Sequence, residues 1–218
     1  MVSTLTPEEG VIWSMQRLTG LGLSPGRSGN TSIRGKKGEF YIKPTGVVAG
    51  DLGVAKIPYV YLGGGPNPVG LIPSSEWPFH EAIYRSRPDV GAIVHCHSNW
   101  ATLLAATRCG ISGNIHYHSQ FFGGNICCTP NFELPGSSAL AESIVLALEN
   151  RKGCLIANHG QLTVGQTIEE AVELAELLEQ LAFFHWNLMS TGVKHKPIPK
   201  KDLDAVTDGI KEYGKQKK

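Results

Sequence analysis

Apolar residues recur at two spacings along the chain, and each switch between them predicts a change of element. Val11, Ile12, Met15, Leu18 and Leu21 follow a helical period behind Thr6-Pro7-Glu8-Glu9, a capping-box pattern with proline at the first helical position, so a first helix should end near Gly22. Thr31-Ser32-Ile33-Arg34 and Glu39 to Lys43, on either side of Gly35–Gly38, predict a β-hairpin closed by Pro44-Thr45-Gly46, and Val54 to Leu62 predicts a further strand. Ser74 or Ser75 can cap a helix running to about Arg87, with Pro78 tolerated in its first turn. The β-branched run Val90 to Val94 predicts a buried strand, Asn99 to Arg108 a helix, and Ser137 or Ser138 the cap of a helix reaching Glu149-Asn150. Cys154 to Ala157 is a short apolar strand, and Thr167-Ile168-Glu169-Glu170 opens the longest helix, to Thr191 with Gly192 as C-cap. This order predicts one layered α/β domain over residues 1–218, with a tail from about 200; the early hairpin means the sheet cannot be wholly parallel.

Composition narrows the class. A formal net charge of +1 offers no broad field for a nucleic-acid backbone, and the one dense lysine cluster, at Lys215 to Lys218, reads as a solvated end. Five cysteines, an odd number without CxxC spacing, argue against a disulfide framework or thiolate zinc site and fit a reducing cytoplasm. No apolar run approaches the roughly 18 residues of a membrane span, so no membrane partner is expected.

The candidate chemistry gathers at strand ends. Two residues apart on a strand, His95 and His97 share a face, roughly 6.6 Å apart along the chain, and can converge on one ion while Cys96 faces the other way. The alternative is a strand cap beside a satisfied core histidine. His116-Tyr117-His118 is a second HxH and an alternative metal pair, but no apolar strand leads into it and Gly123-Gly124 follows, as in a pocket-lining loop or strand end. His159 stands at a strand end before Gly160, whereas His185, among Leu181, Phe184 and Leu188, reads as packed or interfacial. Three strand-end histidines would make a neutral-ligand zinc site with an open fourth position, the catalytic arrangement, and a nearby carboxylate could then move a proton next to a carbonyl. Glu76 is the candidate base, beside a helix start whose free N–H groups and Ser74 and Ser75 hydroxyls suit an anion. Simple capping and the helix dipole account for the same residues without chemistry.

Ser28-Gly29-Asn30, Pro44-Thr45-Gly46, Pro73-Ser74-Ser75-Glu76, His95-Cys96-His97 and Asn158-His159-Gly160 occur in the order and approximate spacing of the class II aldolase/adducin family, which the chain resembles from about Leu18 to Gly192 and again at Lys211-Glu212-Tyr213-Gly214. The resemblance implies a three-layer αβα sandwich with a mixed, mostly antiparallel central sheet, assembled as a homotetramer with active sites between subunits. It implies zinc on His95, His97 and His159, Glu76 as acid/base, and a substrate phosphate held by Asn30, Thr45, Gly46, Ser74 and Ser75. Tyr117 and Tyr213 would approach a neighbouring subunit's site. The implied reaction cleaves L-fuculose 1-phosphate or a similar ketose 1-phosphate into dihydroxyacetone phosphate and an aldehyde. Other members imply alternatives: a methylthioribulose-phosphate dehydratase, pentulose-phosphate 4-epimerases, keto-acid-phosphate decarboxylases and the non-catalytic adducin head. The epimerases resemble this motif with aspartate in place of Glu76, and a scaffold domain is expected to have lost the metal ligands. His118 and the stretch Phe132-Glu133-Leu134-Pro135-Gly136 depart from the family pattern, which bears on the sugar more than on the chemistry.

Overall fold

The computed structural model describes residues 5–68 and 70–210. Its sheet contains eight strands: β1 (Asn30–Arg34), β2 (Glu39–Ile42), β3 (Tyr59–Tyr61), β4 (Gly65–Pro66), β5 (Ala92–Cys96), β6 (Cys127–Cys128), β7 (Gly153–Ile156) and β8 (Gly160–Gly165). They lie in the order β4-β3-β2-β1-β5-β8-β7-β6, and every neighbouring pair is antiparallel except β6 with β7. The six helices among the described residues are α1 (Pro7–Gly20), α2 (Trp77–Ser86), α3 (Asn99–Ala106), α4 (Ser138–Ala147), α5 (Ile168–Thr191) and α6 (Lys200–Ile210).

Strand alternation sorts the core into two layers. Ile93 and Val164 face α2 and α4 with Phe79, Ile83, Leu140 and Ile144, whereas Ala92, Val94 and Cys96 face α1 and α5 with Val11, Met15, Val172 and Ala175. The result is the expected αβα sandwich. A third cluster joins α3 to the second half of α5 through Leu104, Leu178 and Leu181. The half-buried carboxylate of Glu179 closes the start of α3, accepting from the Ser98 hydroxyl at 2.6 Å and from the N–H groups of Trp100 and Ala101 at 2.8 Å.

The helix ends follow their capping chemistry closely. Thr6 and Glu9 exchange both bonds of a capping box, Ser137 accepts from the N–H of Leu140, and Gly192 terminates α5 at φ 65°. Thr167 accepts from Glu170 N–H, but the Glu170 carboxylate reaches back to Gln166 instead of completing the box.

Two expectations change. The run from Val54 to Leu62 is a 3-10 turn at Val54–Lys56 followed by a strand of three residues only, because Pro58 has no N–H and the chain bends on a Lys56 N–H to Gly53 carbonyl bond. Helix α2 begins at Trp77 with Glu76 as N-cap; neither serine caps it, and the Ser74 hydroxyl instead accepts from the N–H of Glu76 at 3.3 Å. The start of the tail is helical. Leu203, Val206 and Ile210 form a half-buried stripe on α6, which meets the 3-10 turn Tyr117–Phe122 through a Thr207 hydroxyl to Gln120 bond of 3.2 Å.

Burial in the core changes how His80 titrates. His80 is fully enclosed, stacked on Phe79 with centroids 4.6 Å apart, and its pKa is pushed down to about 3, first by burial and then by the neighbouring His95. The unfolded chain takes up that proton near pH 6.5 while the folded chain does not until about pH 3, so this contribution to stability is complete above about 6.5 and is lost as pH falls. In metal-stripped protein the urea midpoint should therefore drop from pH 7 to pH 5, and drop less in His80→Phe. Equal slopes for the two proteins in urea titrations would refute this assignment.

Candidate active site

Two close backbone approaches build the site. In β1, Asn30 is the register partner of His95 on β5, and Gly29 just before it takes φ +69°, where an added Cβ would lie 2.8 Å from the His95 carbonyl oxygen and 3.3 Å from Cys96 Cα. On the other side, the hairpin from β7 to β8 turns through Asn158 at φ 55°, and a Cβ on Gly160 would lie 2.6 Å from the Cys96 carbonyl oxygen. Glycine at both positions lets the Ser28-Gly29-Asn30 and Asn158-His159-Gly160 turns close on the end of β5.

Three imidazoles meet there. The ring centroids of His95, His97 and His159 are 4.8, 4.8 and 4.9 Å apart, and the Nε2 atoms of His95 and His97 lie at 3.0 Å. His95 is fully buried and donates from Nδ1 to the Gln161 carbonyl at 2.8 Å, which orients the ring and leaves Nε2 facing its neighbours. Burial first, and then the adjacent imidazoles, push the His95 pKa down to about 3 against the opposing pull of Glu76; His97 is shifted the same way by burial and His159. Behind the ring, Gln161 donates to the Ser98 hydroxyl at 2.6 Å, which links β8 to the Glu179 bonds that close α3.

Glu76 completes the cluster. Its carboxylate lies 3.2 Å from His159 Nε2 and 3.4 Å from His95 Nε2, and accepts from the Asn30 amide at 2.8 Å. Burial alone would lift its pKa, but His95, His159 and Asn30 together more than offset this and hold the carboxyl well below the usual carboxylate range. The donor set fits a divalent metal: the ligand atoms of the three histidines lie within 4.8 Å of one another, burial favours the neutral form of His95 and His97, and His159 Nδ1 and Glu76 Oε1 are buried polar atoms without hydrogen-bond partners.

The residues expected at the phosphate are brought to one edge of the site. Ser74 N–H donates to the Lys43 carbonyl, Thr45 N–H to the Ile72 carbonyl, and Pro44 pairs with Pro73, so Pro44-Thr45-Gly46 and Ser74-Ser75-Glu76 are stitched side by side. Thr45, Gly46 and Ser75 are exposed, whereas Asn30 and Ser74 are buried. Tyr117 is not brought to the triad within one chain: it is half exposed, stacks on His116 at 4.8 Å and meets His118 edge-on at 4.3 Å. Tyr213 lies outside the described residues. Among the described residues the second HxH joins no further group able to hold a metal.

Two residues escaped the sequence reading. Lys43 is buried and donates to the Arg27 carbonyl at 2.9 Å, its pKa lowered by burial and partly restored by Glu76; its place immediately before Pro44-Thr45-Gly46 was the available signal. His80 follows Glu76 by four residues, one helical turn, and reaches the same layer.

The family profile described as the Class II Aldolase and Adducin N-terminal domain matches residues 9–186. A 5-methylthioribulose-1-phosphate/5-deoxyribulose-1-phosphate aldolase of Rhodospirillum rubrum is 34% identical over 97% of this chain and 94% of its own length. An L-fuculose phosphate aldolase of Escherichia coli is 35% identical over 94% of each chain. A solved L-fuculose 1-phosphate aldolase superposes with a TM-score of 0.88 at 26% identity, over 97% of this chain and 98% of that one. No helix among the described residues is long and apolar enough to cross a membrane. With a profile match over most of its length and a shared sandwich, the chain belongs to the class II aldolase/adducin family.

Proposed function

We propose that this chain is a zinc-dependent aldolase that reversibly cleaves a ketose 1-phosphate, L-fuculose 1-phosphate or a close relative, into dihydroxyacetone phosphate and an aldehyde. The observation that carries this reading is the Glu76 carboxylate, held by Asn30 and set 3.2 and 3.4 Å from two of three converging imidazoles. A zinc ion on His95, His97 and His159 would act as a Lewis acid toward the charge that develops on the substrate oxygens. The relatives share a five- or six-carbon ulose phosphate by name but differ in its far end, so the aldehyde is the variable part.

In cleavage the C3–C4 bond breaks, its electron pair passes toward the C2 carbonyl, and the C4 hydroxyl becomes the aldehyde as its proton passes, by way of the tyrosine assigned to that oxygen, to the ionised Glu76 carboxylate. Glu76 then gives a proton to C3, and takes it back in the condensation direction. The hydroxyls of Thr45, Ser74 and Ser75 and the backbone of Gly46, with the Asn30 amide, would orient the phosphate, and the buried Lys43 ammonium adds positive charge at that edge. Tyr117 and Tyr213 are assigned to the aldehyde oxygen of an adjacent copy in a homotetramer; the exposed apolar side chains of Leu103 and Phe183 support self-association. The five free cysteines suit a cytoplasmic enzyme.

Assaying ketose 1-phosphates for dihydroxyacetone phosphate release should give turnover with the L-fuculose or a 5-deoxypentulose ester, and elemental analysis should give about one zinc per chain. His159→Ala should lose both metal and turnover; undiminished zinc and activity in that variant would remove His159 from the ligand set. Glu76→Gln should keep zinc while deuterium exchange at C3 of dihydroxyacetone phosphate, followed by NMR, falls by roughly 10²-fold or more. Exchange at the wild-type rate in a folded Glu76→Gln protein would defeat the proposed acid/base role.

A further inference from the structure

Four buried side chains run in single file from the core to Glu76. The Tyr84 hydroxyl lies 2.8 Å from the Ser32 hydroxyl, Ser32 Oγ lies 2.7 Å from His80 Nδ1, His80 Nε2 lies 2.5 Å from Asn30 Oδ1, and the Asn30 amide nitrogen donates to Glu76 Oε2 at 2.8 Å. Tyr84, Ser32, His80 and Asn30 are all at most 3% exposed, so water does not compete for these bonds.

We propose that His80 is a positioning residue that, through this chain, fixes which end of the Asn30 amide faces Glu76. The proposal rests on reading Glu76 as the acid/base group. An ionised carboxylate only accepts, so the Asn30 NH₂ must face it and Oδ1 must face His80. His80 therefore donates from Nε2. A neutral imidazole carries one N–H, so Nδ1 accepts from Ser32, whose single hydrogen is then used, and Tyr84 must donate to Ser32. Burial supports this direction, since it raises the Tyr84 pKa and keeps the phenol protonated.

The two ends of a carboxamide are alike in shape, so packing alone cannot choose between them. With the amide reversed, Oδ1 would stand 2.8 Å from Glu76 Oε2, two acceptors in contact at a desolvated site. That would swing the carboxylate away or force a proton onto it. A histidine kept only for packing would leave the amide held by the carboxylate alone, with no donor on Oδ1 to fix it from the other side.

The test uses the zinc-loaded enzyme labelled with ¹⁵N-histidine. Long-range ¹⁵N–¹H NMR should place the His80 proton on Nε2; a proton on Nδ1 would overturn the proposal. His80→Phe should lower the C3 exchange rate roughly tenfold or more, the scale of one hydrogen bond to a charged group, with KM changed less than about twofold. His80→Gln, which restores a donor toward Asn30, should recover most of the loss. In an Asn30→Ala background His80→Phe should add no further loss, whereas multiplying losses would show action by another route and overturn the assignment. If His80→Phe does not fold, the tautomer and the Gln variant decide. Wild-type exchange in Glu76→Gln would sink the acid/base reading alone, because the tautomer is measured without turnover and judges the chain separately.

Discussion

Everything at the candidate site depends on how closely two turns press against the backbone of Cys96. Gly29 approaches from one side and Gly160 from the other, each at a distance that leaves no room for a methyl group. Because His95 and His97 flank Cys96, this pinch brings His159 and Asn30 to them without any long side chain having to reach. Glu76 enters from a third direction, carried by the strap of backbone bonds between Pro44-Thr45 and Pro73-Ser74. The cluster is thus assembled by main-chain geometry, which costs less side-chain entropy than flexible ligands would.

The sandwich supplies the electrostatics. Burial on the α2 side of the sheet keeps His95 and His80 neutral at ordinary pH, so the one from the strand has a free lone pair and the one from the helix acts through hydrogen bonds. The ionised Glu76 is tolerated because donors and imidazoles surround it. An unpaired carboxylate at this depth would instead take up a proton.

Much of this was legible in the sequence, for physical reasons. A period-2 run ending in His-Cys-His places two imidazoles on one face whatever the fold, and His159 beside glycine marked a tight strand-end turn. The longest helix was readable from its capping threonine and terminal glycine. What failed to show was burial decided by distant packing. Lys43 looks like an ordinary surface lysine until Arg27 folds over it, and His80 looks like one more position on an amphipathic helix. The stripe Leu203, Val206 and Ile210 is thin and lies among charges, so the helix appears only when the Tyr117–Phe122 turn is there to receive it. Pro58 divided what looked like one long strand, and local backbone bonding took Ser74 from its expected capping role.

The brevity of the outermost strands bears on how copies of the chain can meet. One border of the sheet is Gly65–Pro66 and the other Cys127–Cys128, two residues each, and proline removes a donor from the first. Neither border offers the run of open N–H and C=O groups that a foreign strand needs for templating. Any specific assembly is thereby directed to helix and loop faces, and the sheet stays finite even in a crowded solution of identical chains.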